Sequence, residues 1–410
     1  MLDLTYLYGG RESGATPHRY GQALSAPSAL KPGEPFAVAA SAASRRPIVV
    51  WHLTRRCNLA CEHCYAEAGP GPYPDELNTA EARALMDDLA GYKVPAVLFS
   101  GGEPLMRPDV FELAEHAGAR GLRIVLSTNG TLITRDLAAR LKAARFSYIG
   151  VSLDGLREVH DRMRRKSGAF DLAMRGMENC QAAGLKVGLR VTLTPANFAQ
   201  APQILDLAER QRVGRVCFYH LVPAGRGRNL EDLTRDQTRS CLEVLLARAH
   251  AWARAERPAE LLTVDNPSDG PFLYLKLVAE GAAERASGVL AKLRWNGGAL
   301  NGAGVGLADI DAQGNVHPDQ FWMEVNLGNV RRRPFSAIWS DASHPLLAGL
   351  RDRRKGITGR CAGCKFFDCC GGGLRSRAAH LTGDPWASDP ACVLTDEEIA
   401  EPAASPRGHS

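Results

Sequence analysis

The chain has 410 residues, of which 45% are hydrophobic and 23% are charged, and its formal net charge is +5. These proportions are typical of a globular protein with more than one hydrophobic core, and the small charge favours neither nucleic acid nor a membrane as the main partner. No apolar run is long enough to span a membrane, and the N-terminus lacks the layout of a signal peptide, so we expect a cytoplasmic protein.

Residues 1–46 are rich in Pro, Ala, Ser and Gly, and they predict a partly irregular N-terminal extension. From residue 48 onward, strand-like runs alternate with helical patterns. The predicted strands lie at 48–53, 96–99, 123–127, 148–153, 186–193 and 215–221, and the predicted helices at 79–91, 109–120, 134–144, 170–183, 200–211 and 235–254. Repeated strand–helix units imply an α/β fold with a parallel sheet, here a partial (β/α)6 barrel of TIM type over residues 47–255.

Cys57, Cys61 and Cys64 stand in the loop that follows the first predicted strand. Three thiolates can hold three irons of a [4Fe-4S] cluster and leave the fourth iron open to an external ligand, which a catalytic cluster requires. A zinc knuckle is the alternative, although structural zinc usually has four closed ligands. A glycine-rich turn, Gly101-Gly102-Glu103-Pro104, follows the second predicted strand.

The cysteine spacing and the later GGEP turn together resemble the radical S-adenosylmethionine (SAM) family. The resemblance implies that the cluster's open iron binds SAM and that electron transfer cleaves it to a 5′-deoxyadenosyl radical. It also implies that Gly101, Gly102, Glu103 and Pro104 receive the methionyl amino group.

Further cofactor-binding residues are predicted on the loops at the carboxyl ends of the strands, where functional residues of such barrels gather. In relatives, a Ser-x-Asp-Gly segment lies near the SAM ribose and the substrate, and Ser152 and Asp154 match it. Two residues apart on a strand, these side chains are expected to share one face. Arg164 resembles the family's arginine that pairs with the SAM carboxylate. Arg190 lies in an otherwise apolar strand and needs an anionic partner, which SAM or the substrate could supply. The predicted cofactor-binding set also includes Ser127 and Asn129.

Substrate-binding residues are predicted after the sixth strand, at His220, Arg226 and Arg228. Imidazole binds iron and arginine binds carboxylates, so this loop suits a ligand that carries both, with Tyr219 and Phe321 as aromatic walls. A core histidine in a flexible loop is the alternative. His317 and Trp322, further along the chain, complete the predicted substrate set.

Residues 256–302 predict an irregular connection to a second module at 303–400, and residues 401–410 predict a disordered tail. In the module, Cys361, Cys364, Cys370 and Cys392 form a closed set that can hold an auxiliary [4Fe-4S] cluster or a structural zinc. The spacing resembles the SPASM extension of radical SAM enzymes. By that match Cys369 falls one residue short and is expected to be a bystander.

Several segments, among them 187–194, 314–322 and 381–386, resemble the haem-biosynthesis branch of the family, and most of all its enzymes of haem d1 assembly. That resemblance implies an iron tetrapyrrole substrate, 12,18-didecarboxysirohaem, from which propionate side chains are removed. It also implies an electron donor such as flavodoxin or ferredoxin.

Three alternatives stay open at this point. One is a sister tetrapyrrole enzyme of the alternative haem pathway. Another is a SPASM peptide maturase, although such enzymes usually carry a peptide-recognition domain before the barrel. The last is a non-catalytic iron–sulfur carrier or sensor, which would close the first cluster with a fourth ligand such as Glu62 or His63.

Overall fold

The structure is a computed structural model that describes residues 1–11 and 46–400. Within these residues the strands form one mostly parallel sheet in the order β1-β8-β7-β6-β5-β4-β3-β2-β9-β10-β11. The strands are β1 (Leu2–Asp3), β2 (Ile48–His52), β3 (Val97–Ser100), β4 (Ile124–Thr128), β5 (Ile149–Ser152), β6 (Val187–Leu193), β7 (Arg215–His220), β8 (Glu260–Val264), β9 (Leu307–Ile310), β10 (Asn315–His317) and β11 (Gly328–Asn329).

Helices alternate with the central strands and pack against the sheet. The α-helices are α1 (Leu4–Leu7), α2 (Thr79–Gly91), α3 (Val110–Ala119), α4 (Arg135–Ala143), α5 (Arg157–Arg164), α6 (Ala169–Ala182), α7 (Ala201–Arg210), α8 (Arg235–Arg254), α9 (Asp269–Ala279), α10 (Ala283–Asn296), α11 (Phe335–Ser340), α12 (Pro345–Arg351), α13 (Phe367–Cys370), α14 (Arg375–Thr382) and α15 (Asp396–Ile399). In the described part of the chain, no helix has the length and apolar character needed to cross a membrane.

The predicted barrel is confirmed, with strands β2 to β7 all parallel. Its six predicted strands and the predicted helices between them agree with the observed elements to within one residue at each end, whereas helix α5 was not predicted. Local signals explain this agreement, because helix-capping residues mark the helix starts. Asn78 and Glu81 form a capping box at α2, and Thr234 and Gln237 form one at α8.

The prediction of an irregular connection at 256–302 was wrong. Strand β8 pairs in parallel with β7 and extends the barrel by one strand, and α9 and α10 follow it. The helical period of α9 is obscured because Gly270 and Pro271 lie in its first turn, where proline is tolerated. Leu273 and Leu277 of this helix are fully buried.

The extension predicted to be partly irregular begins with two short regular elements. Strand β1 pairs antiparallel with β8, and α1 buries Leu4 and Leu7. The Asp3 carboxylate accepts a hydrogen bond from the Tyr6 amide at 3.0 Å and caps α1. A four-residue helix is too short to show a period in the sequence. Residues 12–45 and 401–410 lie outside the described residues, so the predictions for them are untested.

The second module continues the barrel sheet. Strand β9 pairs in parallel with β2 and antiparallel with β10. The carboxyl end of β2, which leads into the cysteine loop at 57–64, therefore lies beside the second module. The division of the chain into a barrel at 47–255 and a module at 303–400 is kept as a proposal.

Candidate functional site

A cavity at the carboxyl ends of the parallel strands brings together most of the predicted site residues. They are contributed by the loops that follow β2 to β7, as expected for a barrel of this type. The predicted residues that line the cavity are Cys57, Cys61, Cys64, Gly101, Gly102, Ser127, Asn129, Ser152, Arg164, Arg190, His220 and Arg226.

The glycine-rich turn packs directly against the start of the cysteine loop. The Gly102 amide donates to the Thr54 carbonyl at 2.8 Å, and the Glu103 amide donates to the Arg56 carbonyl at 2.8 Å. A Cβ atom on Gly101 would lie 2.4 Å from the Thr54 oxygen, and one on Gly102 would lie 2.3 Å from the Arg56 oxygen. Only glycine permits this approach, so the turn and the cysteine loop form one unit.

The Glu103 carboxylate is fully buried and holds the loop after β4. It accepts hydrogen bonds from the Thr128 hydroxyl at 2.9 Å and from the Asn129 amide at 2.8 Å. Burial raises the pKa of Glu103 to about 7, against the effect of these donors. Glu103 and Pro104 do not line the cavity. Their contact with SAM stays a prediction, and the structure shows instead that Glu103 positions Asn129.

Asn129 joins the loop after β4 to the cysteine loop. Its side-chain amide donates to the Asn58 side-chain oxygen at 2.9 Å and lies 3.9 Å from the Cys57 sulfur. Ser127 lines the cavity nearby. The polar residues after β4 are therefore close to the first of the three thiols.

Asp154 lies behind the cavity wall and pairs with Arg164. One oxygen of its carboxylate contacts the Arg164 guanidinium and lies 3.2 Å from His63 Nε2. Burial alone would raise the pKa of Asp154, but Arg164 and His63 lower it well below its usual range. Asp154 does not share the cavity face with Ser152, because β5 ends at Ser152 and the chain turns there. That expected shared face is therefore corrected.

Arg164 is held at the cluster loop. Its Nη1 atom lies 3.5 Å from the Cys61 sulfur and its Nη2 atom contacts Asp154, while Nε is buried without a hydrogen-bond partner among the described residues. The guanidinium lines the cavity, so it brings a positive charge to the thiols. A contact with the SAM carboxylate stays a prediction for this residue.

His220 lies in the cavity wall at the end of β7. Its Nε2 atom is 2.8 Å from the Asp269 carboxylate, which orients the imidazole ring. Tyr65 and Phe321 lie in the same wall, with ring centroids 5.2 Å apart in an edge-on arrangement. Tyr219 completes the aromatic lining. This wall suits a flat apolar ligand that offers a metal ion.

Arg226 holds the cysteine loop at 57–64 through two hydrogen bonds. Its Nε atom donates to the Cys61 carbonyl at 2.8 Å and its Nη1 atom donates to the Ala68 carbonyl at 3.0 Å. The neighbouring Gly225 approaches so closely that a Cβ atom there would lie 2.4 Å from the Tyr65 carbonyl oxygen. Most of the Arg226 guanidinium is thus used for structure.

The structure does not bring three predicted substrate residues to the cavity, and that part of the prediction is corrected. Arg228 is half-exposed and pairs with Glu324. His317 is buried, and its Nδ1 atom lies 2.7 Å from the Val325 carbonyl oxygen. Trp322 is buried outside the cavity, whereas the preceding Phe321 lines it.

Sequence reasoning missed four residues at or beside the site. They are Tyr65, Asp265 and Gln320, which line the cavity, and Asp269, which orients His220. Tyr65 follows Cys64 directly and Gln320 precedes Phe321, so both lie next to recognised motifs. Asp265 and Asp269 lie in the segment predicted to be irregular, and no sequence motif marked them as site residues.

The second cysteine group converges away from the cavity. Burial raises the pKa of Cys370 strongly, with the nearby thiols of Cys392, Cys361 and Cys364 adding to the rise. Cys369 lies near Arg294 and Cys364 instead, and burial raises its pKa to about 12. This arrangement supports Cys370, rather than Cys369, as the fourth member of the set.

Both cysteine groups contain buried thiols whose sulfurs accept backbone hydrogen bonds. Burial raises the pKa of Cys57 to about 12, so its thiolate needs a cationic partner such as iron. Backbone amides donate to the sulfurs, from Leu59 to Cys57 and from Phe366 to Cys364, both at 3.4 Å, as is common around clusters. In residues 1–11 and 46–400, no three His, Cys, Asp or Glu side chains close around a single ion.

Comparisons with known proteins agree with this geometry. Residues 51–208 match the model of the Radical SAM superfamily. The chain is 50% identical over 360 residues to Fe-coproporphyrin III synthase of Methanosarcina barkeri, covering 87% of this chain and 90% of that protein. It is 42% identical over 356 residues to pre-heme d1 synthase of Dinoroseobacter shibae, covering 86% of this chain and 87% of that protein.

The fold also matches a solved structure, that of Streptococcus suis SuiB bound to S-adenosylmethionine. The TM-score is 0.65 at 16% identity, covering 86% of this chain and 78% of that one. At this identity the likeness shows the fold alone. The family match and the two relatives show that the chain belongs to the radical SAM superfamily, in the group that includes these two synthases.

Proposed function

We propose that the protein is a radical SAM enzyme of haem biosynthesis that alters carboxylate side chains of an iron tetrapyrrole. One observation carries the proposal. A single cavity joins the loop of Cys57, Cys61 and Cys64 to an aromatic wall that presents the His220–Asp269 pair. The residues for radical chemistry therefore face residues suited to an iron-bearing macrocycle.

Cys57, Cys61 and Cys64 would hold a [4Fe-4S] cluster, and the turn at Gly101 and Gly102 would receive SAM. When bound, the cluster and SAM supply a 5′-deoxyadenosyl radical that takes a hydrogen atom from a substrate side chain. The chain's own residues keep the reactants in place. Arg226 and the glycine turn hold the cluster loop, and Arg164 brings positive charge to Cys61.

His220 is the proposed nitrogen ligand of the tetrapyrrole iron. A metal-binding histidine usually donates its other ring N–H to a carboxylate, which fixes the ring and makes it a better ligand. Asp269 occupies that position here, at 2.8 Å from Nε2. Tyr65, Tyr219 and Phe321 would pack against the ring system, and Arg190 would face one of its carboxylates.

Two products are candidates. The higher identity, 50% against 42%, favours a reaction that yields Fe-coproporphyrin III. The second candidate is removal of propionate side chains from 12,18-didecarboxysirohaem on the way to haem d1. In either case we propose an external electron donor such as flavodoxin or ferredoxin, and an auxiliary [4Fe-4S] cluster on Cys361, Cys364, Cys370 and Cys392.

The test is an anaerobic incubation of cluster-reconstituted protein with SAM, a reductant and 12,18-didecarboxysirohaem. Mass spectrometry and comparison with authentic Fe-coproporphyrin III separate the two products, and 5′-deoxyadenosine is measured in the same sample. His220→Ala should lose tetrapyrrole turnover but keep 5′-deoxyadenosine formation without substrate. Formation of 5′-deoxyadenosine by wild-type protein with every tetrapyrrole unchanged would reject the proposed substrate class.

A further inference from the structure

Asp265 follows strand β8 and is held in a left-handed backbone conformation, with φ of +67°. Its carbonyl oxygen accepts a hydrogen bond from Arg377 Nη2 at 2.8 Å. The next residues are also held by hydrogen bonds to the segment around Cys392. The Asn266 side-chain amide donates to the Ala391 carbonyl at 2.9 Å, and the Ser268 hydroxyl accepts from the Val393 amide at 3.1 Å. A strained conformation maintained by several contacts is typical of a functional position.

The Asp265 side chain lines the cavity, and its Oδ2 atom is buried without a hydrogen-bond partner among the described residues. Burial raises the pKa of Asp265, although the amino terminus, Arg377, Arg190 and His220 oppose the rise. A buried polar atom without a partner is costly, and in native proteins such atoms usually meet a ligand or water.

A second charged group lines the same cavity. Arg190 projects from β6 and lies over the Tyr219 ring at 4.6 Å. It makes no ion pair with any residue that the structure describes, including Asp265. The cavity therefore holds a cation and an acid that are both available to a ligand.

We propose that Asp265 and Arg190 form a subsite for one carboxylate side chain of the substrate. The inference rests on the proposed function, and it names the chemical group that this part of the cavity recognises. One oxygen of a substrate carboxylate accepts from the Arg190 guanidinium, and the other shares a proton with Asp265. Two carboxyl groups in one site readily share a proton in this way.

The position of Asp265 in the sheet favours substrate over SAM as the occupant. The predicted cofactor residues lie at or after the ends of β3, β4 and β5, and Arg190 lies within β6, whereas Asp265 follows β8, beyond them in the sheet order. Its neighbour β7 carries His220, the proposed ligand of the tetrapyrrole iron. Asp265 is thus on the side of the cavity where the macrocycle would lie.

Two variants of Asp265 separate its side chain from its backbone. Asp265→Gly removes the carboxyl group and suits the positive φ, while Asp265→Asn keeps the shape, a hydrogen-bond donor and tolerance of this conformation. Asp171→Asn, an exposed carboxylate of α6 that pairs with Arg157, is the matched control. The probes are Fe-coproporphyrin III and its tetramethyl ester, titrated anaerobically by absorbance into cluster-reconstituted full-length protein.

Wild-type protein should bind the acid more tightly than the ester. Asp265→Gly should weaken binding of the acid by about tenfold, the value of a hydrogen bond to a charged group, with less than about a twofold change for the ester. Asp171→Asn should stay within about twofold of wild type for both probes, whereas Asp265→Asn should weaken binding of the acid less than Asp265→Gly, because its amide still donates a hydrogen bond. Iron content and circular dichroism confirm that each variant is folded.

Several results would overturn the subsite. If Asp265→Gly weakened binding of the acid and the ester equally, Asp265 would have a purely structural role. If it changed the affinity for neither probe, Asp265 would make no contact with the substrate. A tenfold loss of SAM affinity with unchanged tetrapyrrole affinity would assign the position to the cofactor. Wild-type protein that binds neither probe would reject the proposed function as well, whereas binding that ignores Asp265→Gly rejects the subsite alone.

Discussion

The two cysteine groups of this protein occupy opposite environments. Cys57, Cys61 and Cys64 line the cavity, so a cluster held there is accessible to a small molecule. The group at 361–392 lies outside the cavity, behind a turn of three glycines, Gly371, Gly372 and Gly373. The first group faces the cavity, and the second lies apart from it, with Cys364, Cys370 and Cys392 only partly buried.

Two buried arginines lie near the second group, Arg353 near Cys370 and Arg375 near Cys361 and Cys370. Arg375 and Arg353 are almost completely buried. Arg375 donates to the Ala387 carbonyl at 2.6 Å, and Arg353 donates to the Ala303 carbonyl at 3.0 Å. Burial, together with the charge of Arg375, lowers the pKa of Arg353 to about 9. The two groups therefore differ in whether the cavity reaches them, and not only in the number of their cysteines.

The largest effect is expected from removing the open group. Changing Cys57, Cys61 and Cys64 to alanine should abolish 5′-deoxyadenosine formation, because no iron is left to receive SAM. The same change should reduce bound iron from about eight to about four atoms per chain, since the auxiliary cluster remains. Iron analysis and chromatography of deoxyadenosine measure the two effects. Retained deoxyadenosine formation would contradict the assignment.

Removing the second cysteine group should lower the iron content but keep deoxyadenosine formation. With Cys361, Cys364, Cys370 and Cys392 changed to alanine, bound iron should again fall to about four atoms per chain. Deoxyadenosine formation without tetrapyrrole should persist, while the melting temperature falls because the loop around Cys392 holds the loop after β8. Cys369→Ala is the matched control and should keep all the iron. Loss of zinc instead of iron would overturn the auxiliary cluster.

Arg377 connects the two regions and should give an intermediate effect. It pairs with Asp389 at 3.1 Å, near Cys392, and donates to the carbonyls of Leu221 and Asp265 at the cavity. Arg377→Met should lower the free energy of unfolding by about 3–5 kcal/mol, because it leaves Asp389 buried without its cation. It should also weaken tetrapyrrole binding, since the cavity wall loses its support.

Denaturant unfolding of the apoprotein and tetrapyrrole titration measure these two consequences. Arg354→Met is the matched control, because Arg354 makes an exposed pair with Asp368 and its loss should cost at most about 1 kcal/mol. Equal changes in the free energy of unfolding and in tetrapyrrole affinity for the two substitutions would show that Arg377 does not connect the second cysteine group with the cavity. An unchanged tetrapyrrole affinity in Arg377→Met would limit its role to stability.

The smallest effect is expected at Arg228. Its pair with Glu324 is half-exposed and lies outside the cavity lining. Arg228→Ala should therefore change the free energy of unfolding by less than about 1 kcal/mol and leave substrate turnover close to that of wild type. A large rise in KM for the tetrapyrrole would restore the original prediction that Arg228 contacts substrate.

Local patterns predicted the barrel and both cysteine groups well. The strand β2 and the helix α2 were correct to within a residue, because alternating apolar runs and a capping residue such as Asn78 act over short distances. The predictions for Arg228 and His317 failed for a different reason. Residue type suggested ligand binding, but their nearest partners, Glu324 and Val325, were not apparent from the sequence.

By itself, the sequence determined the order of strands and helices, the three-cysteine loop and the glycine-rich turn, since these depend on spacing along the chain. Only the tertiary structure decided which polar groups face the cavity. Asp269 meets His220 across 49 residues, and Arg377 meets Asp265 across 112. Such contacts depend on strand order and on the packing of the second module, and no short stretch of sequence encodes either.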